Sequence, residues 1–384
     1  MKAVLIAQFL SALADNALLF AAIALLRAQA APDWVTPLLQ ECFVISFIVL
    51  APFVGPLADT LPKGRVMVIA NAVKLAGAAA MFIGSNPLLG YGLAGLGATI
   101  YSPAKYGILG EMVGPDRLVM ANGLMEGSTI IAILLGTISG GLLADQSPLL
   151  ALQVVTGCYA TALVIVFLVP RLPPAHPAPG FSIGALLREF ACALRQLLSN
   201  RDAAFSMAGT SLFWGSGATL RFLLVAWVPA ALGILDHSTP ANLNGAVAVG
   251  IVAGAALAGR YITLATVDRV LPAGVAIGLL VVMLAGTHSL PAAIALLILL
   301  GTAAGLFVVP INALLQERGH ESVGTGHAVA IQNFFENLSM LGMIGIYTLA
   351  ARAGTPPVAA AVAFGLLVTA GMAALVGMRR ARRR

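Results

Sequence analysis

Asp15, Lys74, Lys105, Glu126, Arg221 and Glu336 are charged residues set inside long apolar runs. A charge at the centre of a membrane helix costs roughly 2.5–3.5 kcal/mol on insertion scales, so such groups face a partner, a cavity or a water path. The chemistry they suit is recognition. Arginine offers a bidentate fork to phosphate, lysine a point charge, and a carboxylate can meet an ammonium. Asp15, followed by Asn16, lies about twelve residues into the first run, roughly 18 Å at 1.5 Å per residue, close to mid-membrane. Arg221 is deep in a later run, with Phe213, Trp214 and Phe222 near it. Those aromatics either pack or flank an acyl chain. Lys105, in Tyr101-Ser-Pro-Ala-Lys-Tyr-Gly107, either snorkels to the interface or meets a phosphate. Glu126 and Glu336 can pair with a cation or stay protonated in structural hydrogen bonds. Lys74 either snorkels or pairs with an acid. Gln332 and Asn333 read as polar packing between helices.

Bond-making chemistry has no visible seat. His176, His237, His288, His320 and His327 are dispersed and fall mostly in joints. No phosphate loop, nucleophile elbow or zinc spacing is present. Cys42, Cys158 and Cys192 lack metal-ligand spacing. We therefore expect no catalytic residue, no metal and no cofactor.

The elements that must hold these charges are membrane helices. Of 384 residues, 60% are hydrophobic and 9% charged, against about 25% charged in soluble domains, and the mean hydropathy is +0.97. The apolar runs are continuous, whereas barrel strands alternate with a period of two, and a spanning helix needs roughly 20 such residues. The predicted spans are 3–28, 35–58, 66–84, 88–110, 118–142, 149–169, 204–232, 242–262, 271–288, 291–313, 324–351 and 356–378. Pro32, Pro62, Pro87, Pro115, Pro148, Pro240, Pro291 and Pro356 break the joints. The first run is long enough to span and has no small-residue cleavage site, so it reads as a helix and not as a leader.

The basic residues set the orientation. With the N-terminus inside, sixteen of the 21 Lys and Arg face the cytoplasm. Arg27 and Arg352 face outward, and Lys74, Lys105 and Arg221 lie within spans. Both termini are thus expected to be cytoplasmic. A distribution so tied to topology also argues against nucleic acid as the partner of the net charge of +6. The longest polar segment, 170–203, opens on Arg171-Leu-Pro-Pro-Ala-His-Pro-Ala-Pro179 and continues as an amphipathic stretch with Arg188 and Arg195. The expected organisation is a six-helix half at 1–169, a cytoplasmic linker at 170–203, a second half at 204–378 and a basic tail at 379–384. The halves echo one another. Ser102-Pro103 and Gly110-Glu111 precede a helix bearing Glu126; Val309-Pro310 and Gln316-Glu317 precede one bearing Glu336. Parallel repeats place a substrate site at the interface of two such halves, so Asp15 and Arg221 are expected to line one cavity from opposite walls, binding substrate or forming an ion pair. Small-xxx-small spacing, as in Gly136-Thr-Ile-Ser-Gly140, fits close helix packing.

The loop Gly55-Pro-Leu-Ala-Asp59-Thr-Leu-Pro-Lys63-Gly64-Arg65 resembles the signature loop of the major facilitator superfamily, with an insertion before Lys63. Gly55 permits close helix approach, and Asp59 can pair with a base or cap a helix N-terminus; the implied role of Asp59, Lys63 and Arg65 is gating. Six segments together resemble the bacterial lysophospholipid transporters of that superfamily: Ala7-Gln-Phe-Leu-Ser-Ala-Leu-Ala-Asp-Asn-Ala-Leu-Leu-Phe20, Tyr101-Ser-Pro-Ala-Lys-Tyr-Gly-Ile-Leu-Gly-Glu111, Ala121-Asn-Gly-Leu-Met-Glu126, Gly209-Thr-Ser-Leu-Phe-Trp-Gly215, Thr219-Leu-Arg-Phe-Leu-Leu224 and Asn312-Ala-Leu-Leu-Gln-Glu-Arg-Gly319. The resemblance implies the twelve-helix major facilitator fold. It implies a monomeric flippase of the bacterial inner membrane that carries lysophosphatidylethanolamine and related lysolipids from the outer to the inner leaflet. It also implies a partner, the acyltransferase/acyl-carrier-protein synthetase that re-acylates the product, expected on a separate chain because this one ends in an arginine cluster. Asp15, Asn16, Lys105, Arg221, Glu126, Trp214, Phe222 and Glu336 are the candidate substrate-site residues. A drug or small-solute exporter of the same superfamily is the alternative, or a non-transporting membrane anchor for the acyltransferase.

Overall fold

The computed structural model describes residues 1–31, 35–169, 182–235 and 238–381. Pro32, His176, His237, the proline-rich start of the linker and Arg382 to Arg384 lie outside them. Every regular element described is helical: α1 (Lys2–Ala28), α2 (Val35–Val49), α3 (Ala51–Thr60), α4 (Lys63–Phe82), α5 (Pro87–Val113), α6 (Pro115–Gln146), α7 (Pro148–Val166), α8 (Ile183–Ser199), α9 (Arg201–Trp227), α10 (Ser238–Tyr261), α11 (Leu271–Ala285), α12 (Leu290–His320), α13 (Thr325–Arg352) and α14 (Pro357–Ala381). The starts follow from the sequence. α3, α5, α6, α7 and α11 each carry proline in the first two positions, where its missing N–H would have had no partner and its fixed φ suits a helix.

Among the described residues, ten helices are long and apolar enough to span, or eleven if the bent pair of α2 and α3 is one span. Two differences from the expected spans have physical causes. The span expected at 35–58 is broken at Leu50, where the axis turns by 62°, and Pro52 cannot continue the hydrogen-bond ladder from the preceding turn. α5 has the length of a span, but glycine at 90, 92, 95, 97, 107 and 110 dilutes its apolar character.

The chain forms two compact units. The first comprises Met1–Gly114, Ser128–Leu197 and Gln316–Phe334; the second comprises Pro115–Gly127, Leu198–Leu315 and Phe335–Arg384. The first turns of α6 thus belong to the second unit, and the end of α12 with the start of α13 belong to the first. In the first unit α4 packs along α5, and α1 along α7. Gly136 and Gly140 of α6 lie against the backbone of Leu13 and Ala17 of α1, a close crossing of the small-xxx-small kind. In the second unit α11 and α14 pack together, and α14 also meets α9. There Gly250 and Gly254 of α10 cross Gly301 and Gly305 of α12 with backbone against backbone. α14 runs on past residue 378, and Arg379 is buried in the second unit, where it meets Asp202 at 3.1 Å, Asp268, and the ring of Phe205.

Candidate substrate site and gate

Asp15 of α1 sits in a polar cluster inside the first unit. Its Oδ2 accepts from Lys74 Nζ at 2.7 Å, and its Oδ1 accepts from the Tyr159 hydroxyl at 2.7 Å. Lys74 Nζ also donates to Ser11 Oγ at 2.9 Å, and Ser11 donates in turn to Asn71 Oδ1 at 3.0 Å. The Lys74 ammonium lies 5.1 Å from the centroid of the Tyr101 ring, within cation–π range. Lys74, Ser11, Asn71 and Tyr159 are buried, whereas 16% of the Asp15 side chain is exposed. α4 and α5 must run very close to build this cluster. A Cβ on Gly97 would lie 2.6 Å from the Ala70 carbonyl oxygen and 2.5 Å from Lys74 Cγ. Of the two sequence readings of Lys74, the pairing with an acid is the one the structure displays. Asn16 stands apart, with its amide donating to Ala12 O of its own helix at 2.8 Å.

Arg221 lies on α9 of the second unit. Its face is exposed in the chain and it makes no ion pair or hydrogen bond among the described residues. Gly217 and Val225, one turn to either side, are exposed on the same stripe. Phe222 is also exposed, and Trp214 is half-buried with its ring edge-on to Phe213 at 5.2 Å. Arg221 is thus a guanidinium with its donors open, next to aromatic surface. Asp15 is the opposite case, a carboxylate already held by two partners in its own unit. Within its own unit Asp15 is paired with Lys74 and Tyr159.

Lys105 is buried on α5, with its ammonium 4.6 Å from the centroid of the Tyr106 ring. Glu126 is buried in the second unit and accepts from Asn312 Nδ2 at 3.2 Å. Glu336 is likewise buried on α13. In the first unit, Asn333 donates to Ser102 Oγ at 2.8 Å, the interhelical polar packing expected of it.

The signature loop divides its three charges among three surroundings. Asp59 ends α3 almost fully buried and caps α13: Gly326 N and His327 N donate to its two carboxylate oxygens at 2.8 and 3.0 Å, and His327 Nδ1 lies 2.8 Å from Oδ2. Backbone donors at a helix N-terminus favour a carboxylate there. Glycines make the approach possible. Gly324 has φ +95° and faces the Asp59 carboxylate, and a Cβ on Gly55 would lie 2.9 Å from His327 Cα. Lys63 runs inward to Glu111 Oε1 at 2.5 Å, its stem passing over Gly107. Arg65 stays exposed.

Sequence reasoning missed Tyr159, Glu189 and Asn312, and read His327 as one dispersed joint histidine. A tyrosine in an apolar run carries no signal by itself. The Gly-Thr-Gly-His run at 324–327 does, since two glycines beside a polar residue mark a close approach at a helix start. Among the described residues no group of three or more His, Cys, Asp or Glu is placed to hold a metal ion.

The sequence matches the Major Facilitator Superfamily over residues 4–343. The chain belongs to that superfamily. Solved structures of the same fold include the fucose:proton symporter of E. coli, at TM-score 0.78 and 12% identity over 98% of each chain. A bacterial homologue of the iron transporter ferroportin matches at TM-score 0.73 and 16% identity, covering 98% of this chain and 99% of that one. Much nearer in sequence are bacterial proteins named lysophospholipid transporter LplT. That of Salmonella arizonae is 54% identical over 375 residues, 98% of this chain and 94% of the relative. That of Photorhabdus laumondii is 55% identical over 368 residues, 96% of this chain and 92% of the relative.

Proposed function

We propose that this superfamily member carries lysophospholipids across the bacterial inner membrane, from outer to inner leaflet. The observation that carries the reading is identity of 54% along 98% of the chain with proteins of that name. The geometry supports it. A lysophospholipid has one acyl chain and a phosphate-bearing head, so its carrier needs a cation with free donors beside apolar surface. Arg221 with Phe222 and Trp214 supplies both, and a guanidinium binds phosphate in a bidentate fork. Lys105 is the second proposed phosphate contact.

In this reading Asp15 is a positioning residue. It holds Lys74 and Tyr159, and it does not serve as the receptor for an ethanolamine ammonium. Asp59, Lys63 and Arg65 belong to the gate, and Glu126 and Glu336 to the polar framework of the transport path. The twelve-span count takes α5 as a span and α2 with α3 as one, and the two six-helix halves flank the linker, with both termini cytoplasmic. The product is a lysolipid in the inner leaflet, which fits a re-acylating acyltransferase as partner of a monomeric carrier that itself performs no catalysis.

The test is Arg221→Ala in reconstituted protein. We expect lysolipid transport to fall to the protein-free rate while the purified variant keeps its helical content and thermal transition. Arg221→Lys is expected to be poor as well, because the fork is lost. Wild-type transport by a well-folded Ala variant would remove Arg221 from the site.

A further inference from the structure

His327 has no part in the reading above, yet it is buried and faces two carboxylates inside the first unit. Its Nδ1 lies 2.8 Å from Asp59 Oδ2, and its Nε2 lies 3.4 Å from Glu189 Oε1. Glu189 belongs to α8, the amphipathic helix of the segment that joins the two halves. Phe190, the next residue, meets Phe334 of α13 edge-to-face at 6.1 Å. α8 thus meets the start of α13 through one histidine–carboxylate contact and one aromatic contact, about two turns apart along α13. Leu186, Ala193 and Leu197 complete its buried face, while Arg188 and Arg195 point away.

The 3.4 Å contact to Glu189 is within ion-pair range but lacks the geometry of a hydrogen bond. Its strength therefore depends on charge. Imidazolium is attracted to Glu189, and neutral imidazole is not. The Asp59 contact differs, because the backbone donors of Gly326 and His327 hold Asp59 in either state. Other charges on neighbouring elements are engaged elsewhere: Lys63 with Glu111, and Arg318 with Glu321 at 2.7 Å. Among the described residues, Glu189 and Asp59, with the N-terminal amides of α13, are the charged and polar groups that face His327.

We propose that His327 is a positioning residue that fastens linker helix α8 to the gate. A cycle that draws the start of α13 away from Asp59 must then release α8 as well. The inference is independent of the cargo.

Amide hydrogen exchange on the full chain in lipid nanodiscs tests it. A helix of 17 residues is marginal when undocked, so its protection reports docking. Residues 183–197 should be about threefold better protected in the wild type than in Glu189→Gln, the scale of a half-exposed ion pair. Glu189→Gln should leave protection of residues 328–334 intact, because the Asp59 cap remains. Equal protection of α8 in the wild type and in Glu189→Gln would overturn the proposal. Glu189 is partly exposed, so its replacement leaves the fold standing. His327→Gln, if it folds, should match Glu189→Gln.

Discussion

A buried ion pair holds two partners hostage to each other. Asp15 and Lys74 are 2.7 Å apart, with Lys74 all but fully covered. Removing one partner of such a pair destabilises by about 3–5 kcal/mol, while replacing both with apolar or neutral groups can be nearly neutral. We therefore expect Lys74→Met alone to lower the thermal transition of the purified protein strongly. The double variant Asp15→Asn, Lys74→Met should recover most of the loss while transport stays impaired. A Lys74→Met protein as stable as wild type would refute the pairing. The same geometry bears on substrate selectivity. If Asp15 holds Lys74 and Tyr159, Asp15→Asn should reduce transport of lysophosphatidylethanolamine and lysophosphatidylglycerol alike in parallel assays. Loss of the ethanolamine lipid alone would restore Asp15 as an ammonium receptor. Asp15, Lys105, Arg221, Glu126 and Glu336 were legible in the sequence because a charge in an apolar run is conspicuous. The partners of Asp15 were not. Lys74 meets Asp15 only because α4 passes beside α1, and the Tyr159 hydroxyl comes from α7, 144 positions away along the chain.

At the scale of elements, glycine decides which helices can touch. A Cβ on Gly254 would lie 2.8 Å from the Leu306 backbone nitrogen, with Thr302 nearer still. Neither neighbour is a flexible side-chain tip, so the helices must part. Gly254→Ala is expected to destabilise by about 1–3 kcal/mol, read as a fall in the denaturation midpoint in detergent. Gly345→Ala is the control: nothing lies within 4 Å of its Cβ, and alanine improves helix propensity by up to about 1 kcal/mol. Equal losses from both substitutions would contradict the close crossing of α10 and α12. The sequence marked most helices well, since apolar runs bounded by proline read directly as elements. It also singled out Gly55 and Asp59 as a close approach and a cap. It missed the break at Leu50, because a proline after one polar-free turn leaves the hydropathy of 35–58 unbroken. It also carried no sign that the clasp of α8 would fall on His327, since that depends on how the linker folds back.

At the scale of the molecule, we propose a two-half carrier with most of its basic residues on the cytoplasmic side. Reporter fusions after about residue 202 and at the C-terminus should both read as cytoplasmic; an external C-terminus would contradict an even number of spans. The central claim is the cargo. The most direct measurement places labelled lysophosphatidylethanolamine in the outer leaflet of liposomes that carry the purified chain, and follows its loss from the pool that albumin can extract. The account predicts that the lipid leaves that pool much faster with wild-type protein than without protein, and at the protein-free rate with Arg221→Ala. Wild-type protein that leaves lysolipid extractable, while moving a soluble dye or drug across the same liposomes, would contradict it.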